Sequence, residues 1–76
     1  MKSSSPNLNR DVGRRLRALR EAHGLSLLEF AKLIDMSSSH LSLIEHGRRS
    51  LTIERLHKIC EQLHVEPGAI VMGKRR

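Results

Sequence analysis

Residues 24–47 read GLSLLEFAKLIDMSSSHLSLIEHG and have the pattern of two short helices separated by a turn. Ser26 is placed to begin the first helix, because Glu29 follows three residues later in the spacing of a capping box. The apolar side chains after this cap recur at helical spacing and are those of Phe30, Ala31 and Ile34, with Leu33 beside them. They predict a short helix with one buried face.

The second helix of this stretch follows a turn at Asp35, a residue type that tolerates the left-handed conformation such a turn needs. Ser37 is placed to cap this helix, Leu41 and Ile44 face inward, and Gly47 ends it. Two short helices joined by such a turn are the arrangement with which many proteins lay a helix in the DNA major groove. The sequence therefore predicts a helix-turn-helix.

One more helix is predicted before this pair. Residues 1–8, MKSSSPNL, are polar and contain Pro6, so we expect a disordered tail. Asn9 can then cap a helix that runs to about His23 and ends at Gly24. The apolar stripe of this helix consists of Val12, Leu16 and Leu19.

Two further helices are predicted after the pair. Thr52 can cap the fourth helix, and Pro67 suits the first position of a short fifth one. The apolar residues of the fourth helix recur every three or four positions and are Ile53, Leu56, Ile59, Cys60 and Leu63. Residues 73–76 form a basic tail. The fold class predicted is all-α, a compact five-helix domain over residues 9–72 with no competing strand pattern.

Composition supports a small domain that binds a polyanion. The chain has 76 residues, with 14 Lys and Arg against 8 Asp and Glu, a net charge of +6. Such a charge attracts nucleic acid, although solvated surface arginines are common in any protein. A single cysteine excludes an internal disulfide framework, and neither a signal peptide nor a membrane-spanning run is recognisable. We therefore expect a cytoplasmic protein.

The chain resembles the Xre/Cro-type helix-turn-helix regulators of bacteria and phages from Val12 to about Val71. The resemblance rests on the order and spacing of VGRRLRALREAHGLS, FAKLIDMS, LIEHGRR and LTIERLHKICEQLHV. It implies a repressor-like, sequence-specific DNA-binding transcriptional regulator that is not an enzyme. It also implies a homodimer that inserts helix three, residues 37–46, into the major groove of a two-fold operator.

Three groups of residues are expected to share the contacts with double-stranded DNA. The expected base contacts lie early in the third helix and are Ser38, Ser39, Ser42 and Leu43. The expected backbone contacts lie at two helix N-termini and in the following loop, and are Ser26, Ser37, His40, Arg48 and Arg49. The resemblance adds a pair, Arg20 with Glu45, that ties two helices together and presents Arg20 to a phosphate.

A homodimer surface is expected at the C-terminal end of the domain. Ile70, Val71 and Met72 lie in the region through which many relatives pair. The alternative is that Ile70 and Val71 simply complete the core of the monomer.

Three leucines depart from the family pattern. Leu27 stands where a glutamine often contacts phosphate, Leu28 where a polar residue is common, and Leu43 where a long polar residue usually contacts a base. Leu27 shares a helical face with the core residues, which favours an inward position. A second function therefore stays open: a protein-binding adaptor or antirepressor that uses an apolar patch around these leucines.

A metal site was weighed and is not expected. His57, Cys60 and His64 are three and four residues apart, so they share one helical face. Cys60 falls on the apolar stripe, however, and no fourth ligand is evident. We expect neither a metal nor a cofactor.

Overall fold

Five α-helices make up the described part of the chain. The computed structural model describes residues 5–72, with side chains from residue 8 onward. The helices are α1 Ser5–Ala22, α2 Leu27–Leu33, α3 Ser38–Glu45, α4 Ile53–Leu63 and α5 Pro67–Val71. No strand occurs within residues 5–72, so the all-α prediction is confirmed. Within the same residues, no helix is both long and apolar enough to cross a membrane.

The first helix starts earlier than the sequence predicted. It begins at Ser5, so the predicted cap at Asn9 is wrong. Pro6 lies in the first turn, where backbone amides have no acceptor within the helix and a missing N–H costs nothing. The rest of the predicted N-terminal tail, residues 1–4, and the C-terminal tail, residues 73–76, lie outside the described residues.

Three hydroxyl caps begin the next three helices, as predicted. Ser26 accepts a hydrogen bond from the Glu29 amide at 3.0 Å, and Glu29 Oε1 accepts one from the Ser26 amide at 2.9 Å, which completes the capping box. Ser37 and Thr52 cap α3 and α4 in the same way. Because each cap satisfies an amide that the helix leaves unpaired, it is worth about 1 kcal/mol.

Four helices end at a residue in the left-handed conformation. Gly24 and Gly47 supply it for α1 and α3 with φ of 70° and 77°. Asp35 and His64, both at φ 58°, supply it for α2 and α4, which confirms the left-handed turn predicted at Asp35. Each turn reverses the chain within two or three residues and holds consecutive helices at a fixed angle.

The core collects apolar side chains from all five helices. They are Val12, Leu16, Phe30, Ala31, Ile34, Leu41, Ile44, Ile59, Cys60, Leu63 and Ile70. The predicted burial of Ile53 is wrong, because its side chain is 82% exposed. It is the first residue of α4, and helical side chains lean toward the N-terminus, so it projects beyond the packed part of the helix.

α1 and α3 approach each other closely at Gly13. A Cβ atom built on Gly13 would lie 2.3 Å from the carbonyl oxygen of Ile44 and 2.7 Å from that of Glu45. Gly13 is buried in the middle of α1, where glycine weakens a helix. Its missing side chain allows the backbone of α3 to pack directly on α1.

The Cys60 thiol makes stability sensitive to alkaline pH. Burial raises the pKa of Cys60, since the charged thiolate is disfavoured inside the core. The folded state therefore holds this proton more tightly than the unfolded state. That stabilisation is complete below the ordinary thiol pKa of about 8.5 and is lost as the pH rises through the folded-state pKa.

We expect the free energy of unfolding, measured by urea denaturation, to fall as the pH rises above about 8.5. Cys60→Ala should flatten this fall, because the chain contains no tyrosine to ionise in the same range. Parallel curves for the two proteins would assign the pH dependence to other groups.

Candidate nucleic-acid interface

Helix α3 has one buried face and one exposed face. Leu41, Ile44 and Glu45 are buried. Ser39 and Leu43 lie one turn apart on the exposed face. The other two residues expected to contact bases, Ser38 and Ser42, are half-buried along its edges, and His46 continues the exposed face beyond the end of the helix. The four residues therefore lie on the same accessible side of α3.

The N-termini of α2 and α3 differ in their electrostatics. At α3, the Ser37 hydroxyl accepts from the His40 amide at 3.1 Å, and no acidic residue occupies the first turn. The positive end of the helix dipole there is not offset by a carboxylate. At α2, the Glu29 carboxylate occupies the Ser26 amide. An anion is therefore more favourable at Ser37 than at Ser26.

The C-terminus of α3 leads directly into an arginine-containing loop. The Gly47 amide donates to the Ile44 carbonyl at 3.0 Å, and the Arg48 amide donates to the Leu43 carbonyl at 2.8 Å. These two bonds fix the start of the loop against the helix. Arg48 and Arg49 are both exposed. Arg48 also lines a shallow open cavity with Ser42, Leu43 and His46.

Arg20 and Glu45 form the predicted pair. Nε of Arg20 donates to Oε2 of Glu45 at 2.8 Å and Nη2 to Oε1 at 3.1 Å, while Nη1 donates to the Leu25 carbonyl at 3.0 Å. The side chains are only 12% and 3% exposed. The hydrogen bond to Glu45 raises the pKa of Arg20 despite the opposing effect of its burial, so the guanidinium stays charged. The pair joins α1 to the end of α3.

Arg55 is a structural contact that the sequence analysis missed. Its Nη1 atom donates to the Asp35 carbonyl at 2.7 Å and to the Ile34 carbonyl at 3.4 Å. A side chain of α4 thus holds the turn between α2 and α3. Every residue has a carbonyl acceptor, so no sequence pattern indicates such a contact. In the structure, Arg55 is half-buried on α4.

A helix-turn-helix family model, HTH_3, matches residues 16–70. The chain belongs to this family. The match covers both helices of the pair and all of α4, so the family resemblance expected from the sequence is confirmed.

Similar proteins extend this assignment. The antitoxin PezA of Streptococcus pneumoniae is 35% identical over 60 residues, which cover 79% of this chain and 38% of the antitoxin. The restriction-modification controller protein C.AhdI of Aeromonas hydrophila is 33% identical with a TM-score of 0.75, over 80% of this chain and 92% of that one. The P22 c2 repressor in complex with a synthetic operator, 22% identical with a TM-score of 0.76 over 83% of this chain and 96% of the repressor, shares the fold.

This helix-turn-helix chain spans only part of its curated relatives. Its matches cover 38% of PezA, 21% of a putative helix-turn-helix transcriptional regulatory protein of Pyrococcus abyssi and 12% of the regulator RamB of Mycobacterium tuberculosis. In these relatives the matching segment is therefore one part of a longer protein.

The three leucines that depart from the family pattern have different environments. Leu27 is half-buried and packs against the core, as the favoured interpretation predicted. Leu28 is 56% exposed and Leu43 is 36% exposed. Leu27 thus offers less exposed apolar surface than Leu28 and Leu43 do.

The three residues expected at a dimer surface differ in their exposure. Ile70 has no exposed surface and belongs to the monomer core, so its place in a dimer interface is not supported. Its position is fixed because α5 packs against α1. Val71 and Met72 are 36% and 67% exposed. Arg15 of α1 donates to the Val71 carbonyl at 2.8 Å and thereby secures the end of α5.

The histidine and cysteine face of α4 is not assembled as a metal site. His57 Nε2 lies 3.3 Å from Glu61 Oε2 on the protein surface, while Cys60 is buried. Among residues 5–72, no three His, Cys, Asp or Glu side chains are grouped so that they could hold a metal ion.

Proposed function

We propose that this chain is a DNA-binding transcriptional regulator that places α3 in the major groove of double-stranded DNA. The observation that supports this most directly is the setting of α3. Its exposed face lies between an N-terminus without a carboxylate and a loop with two exposed arginines. The buried Arg20–Glu45 pair holds this helix on the rest of the fold.

Base recognition is assigned to the exposed face of α3. Ser39 can donate to or accept from a base edge, and Leu43 can contact a thymine methyl group. Ser38 and Ser42 contribute from the edges of this face. Hydroxyl and methyl contacts discriminate less than a bidentate arginine or glutamine does, so a substantial share of the affinity comes from the DNA backbone.

Backbone contacts are assigned to the two ends of α3 and to the start of α2. Ser37 and His40 lie at the N-terminal end, and Arg48 and Arg49 follow the C-terminal end. Ser26 keeps a hydroxyl hydrogen with which to contact a phosphate. Arg20 donates three of its five N–H groups to Glu45 and Leu25. The other two can reach a phosphate only through the small part of the side chain that is exposed.

A homodimer is the expected active form, acting in the cytoplasm. A single helix-turn-helix buries too little surface for tight discrimination, and two copies can read half-sites about 34 Å apart. Val71 and Met72 provide exposed apolar surface for a second copy at the end of α5.

This function is tested with a randomised duplex library at near-physiological salt, followed by sequencing of the retained DNA. A two-fold symmetric consensus is expected. Arg48→Ala should then weaken binding to every sequence alike and lower the magnitude of the salt slope by about 1.8, because each of the two protomers loses one phosphate contact. Ser39→Ala should change the preference at one base position only. Equal effects of both substitutions on all sequences would overturn the assignment of α3 to base recognition.

A protein-binding adaptor or antirepressor is the second candidate, because Leu28 and Leu43 expose apolar surface beside the pair of helices. The salt dependence separates the two functions. Binding to duplex DNA falls steeply as salt rises, whereas an apolar protein contact is nearly insensitive to it.

A further inference from the structure

The arginines of this domain fall into two sets. Within the described residues, five of eight donate to a partner in the same chain: Arg14, Arg15, Arg17, Arg20 and Arg55. Those partners are carboxylates or helix-terminal carbonyls. Within residues 8–72 the other three, Arg10, Arg48 and Arg49, form neither an ion pair nor a side-chain hydrogen bond, and all three are exposed.

The backbone atoms of these three arginines lie close to Gly47. A Cβ atom built on Gly47 would lie 2.8 Å from the Cα of Arg10 and 3.1 Å from its backbone nitrogen. Arg48 and Arg49 follow Gly47 directly, so their Cα atoms lie within about 4 and 8 Å of it. The first turns of α1 therefore bring the backbone of a third exposed arginine to the loop that follows α3, although 38 residues of sequence separate Arg10 from Arg48.

The acidic side chains near this cluster do not neutralise it. Asp11, the neighbour of Arg10, accepts from Arg14 at 2.9 Å. Glu45, two residues before Gly47, is buried in its pair with Arg20. Within residues 8–72 none of these three exposed arginines has a carboxylate partner, so their charges are available to a polyanion.

The cluster also lies where a DNA strand would pass. Eight residues of α3 extend over about 12 Å, which equals the width of the major groove. A helix that contacts base edges with its N-terminal residues leaves the groove at its C-terminal end, beside a sugar–phosphate strand. Gly47 marks this end of α3.

We infer that Arg10 is a phosphate-binding residue and that α1 and the loop after α3 together grip one backbone strand of the duplex. This inference rests on the proposed function. It adds to the recognition helix a contact from an element outside the helix-turn-helix, and this contact strengthens binding to all sequences alike.

The test is the salt dependence of binding to the consensus duplex, measured by fluorescence anisotropy between about 0.05 and 0.3 M salt. Because each protomer of the dimer would release one fewer counterion, Arg10→Gln should lower the magnitude of the slope of log K against log salt by about 1.8 and weaken binding about thirtyfold at 0.15 M. Arg10→Lys should restore most of the slope, since it keeps the charge.

Arg14→Gln is the matched control, because Arg14 lies on the same helix, is 71% exposed and loses the same charge, but already pairs with Asp11. It should leave the slope unchanged. Equal slopes for Arg10→Gln and Arg14→Gln, with wild-type DNA binding intact, would overturn the role of Arg10 alone. Absence of salt-dependent duplex binding by the wild type would overturn the proposed function and this inference together. Circular dichroism should show all variants folded, since Arg10 and Arg14 are both exposed.

Discussion

Gly13→Ala should destabilise the domain by about 3 kcal/mol, at the upper end of the cost of overpacking. The added methyl group would meet three backbone atoms of α3, among them the Ile44 carbonyl oxygen at 2.3 Å and the Glu45 carbonyl carbon at 2.9 Å. Backbone atoms cannot move aside as a flexible side chain can, so α1 and α3 must separate. Because α3 is the proposed recognition helix, DNA affinity should fall as well.

The expected change in stability has the opposite sign to that of an ordinary glycine-to-alanine substitution in a helix. Replacing glycine by alanine within a helix normally stabilises it by about 1 kcal/mol. Ala18→Gly, at an exposed position of the same helix, measures that propensity in this protein and should cost a similar amount. Urea denaturation of the three proteins gives both values. If Gly13→Ala stabilised the domain, the close packing of α1 on α3 would be contradicted.

Local sequence signals predicted the helices because each signal acts within a few residues. The caps at Ser26, Ser37 and Thr52 and the left-handed ends at Asp35 and His64 depend on hydrogen bonds and torsion angles of neighbouring residues. Their energies are nearly independent of the rest of the fold, so the amino-acid types alone identify them.

Other features escaped because they depend on how helices meet. Ile53 has the spacing of the apolar stripe of α4. Burial also requires a neighbouring helix that packs against the first turn of α4, and Ile53 is exposed. A glycine in the middle of a helix does signal close packing, and Gly13 is such a residue. The sequence does not reveal which backbone it packs against.

The candidate site shows the same division. The exposure of Ser39 and Leu43 follows from the buried positions of the same helix. Arg20 and Glu45 are 25 residues apart, and only the family resemblance paired them. The meeting of Arg10 with Gly47 was not predicted, because it results from the packing angle between α1 and α3.

Glu45→Gln should destabilise the domain by about 3–5 kcal/mol, the usual cost of removing one partner from a buried ion pair. The amide keeps the shape of the carboxylate but leaves the Arg20 charge with little solvent and no counter-charge, since the guanidinium is only 12% exposed. A small domain has about 5–15 kcal/mol of stability in all. The variant should therefore show a much lower midpoint of urea denaturation and be partly unfolded under conditions in which the wild type is fully folded.

Arg20→Met combined with Glu45→Met should be less destabilising than Glu45→Gln alone, because no buried charge is then left unpaired. The coupling between the two side chains is the difference between the effect of the double substitution and the sum of the effects of Arg20→Met and Glu45→Met alone. If that coupling were near zero, the pair would not hold α1 to α3. Since the double variant is expected to fold, it also separates structure from recognition. A salt slope of DNA binding equal to that of the wild type would mean that Arg20 fixes α3 in place without touching a phosphate. A slope smaller in magnitude by about 1.8 would assign a phosphate contact to Arg20 in each protomer of the dimer.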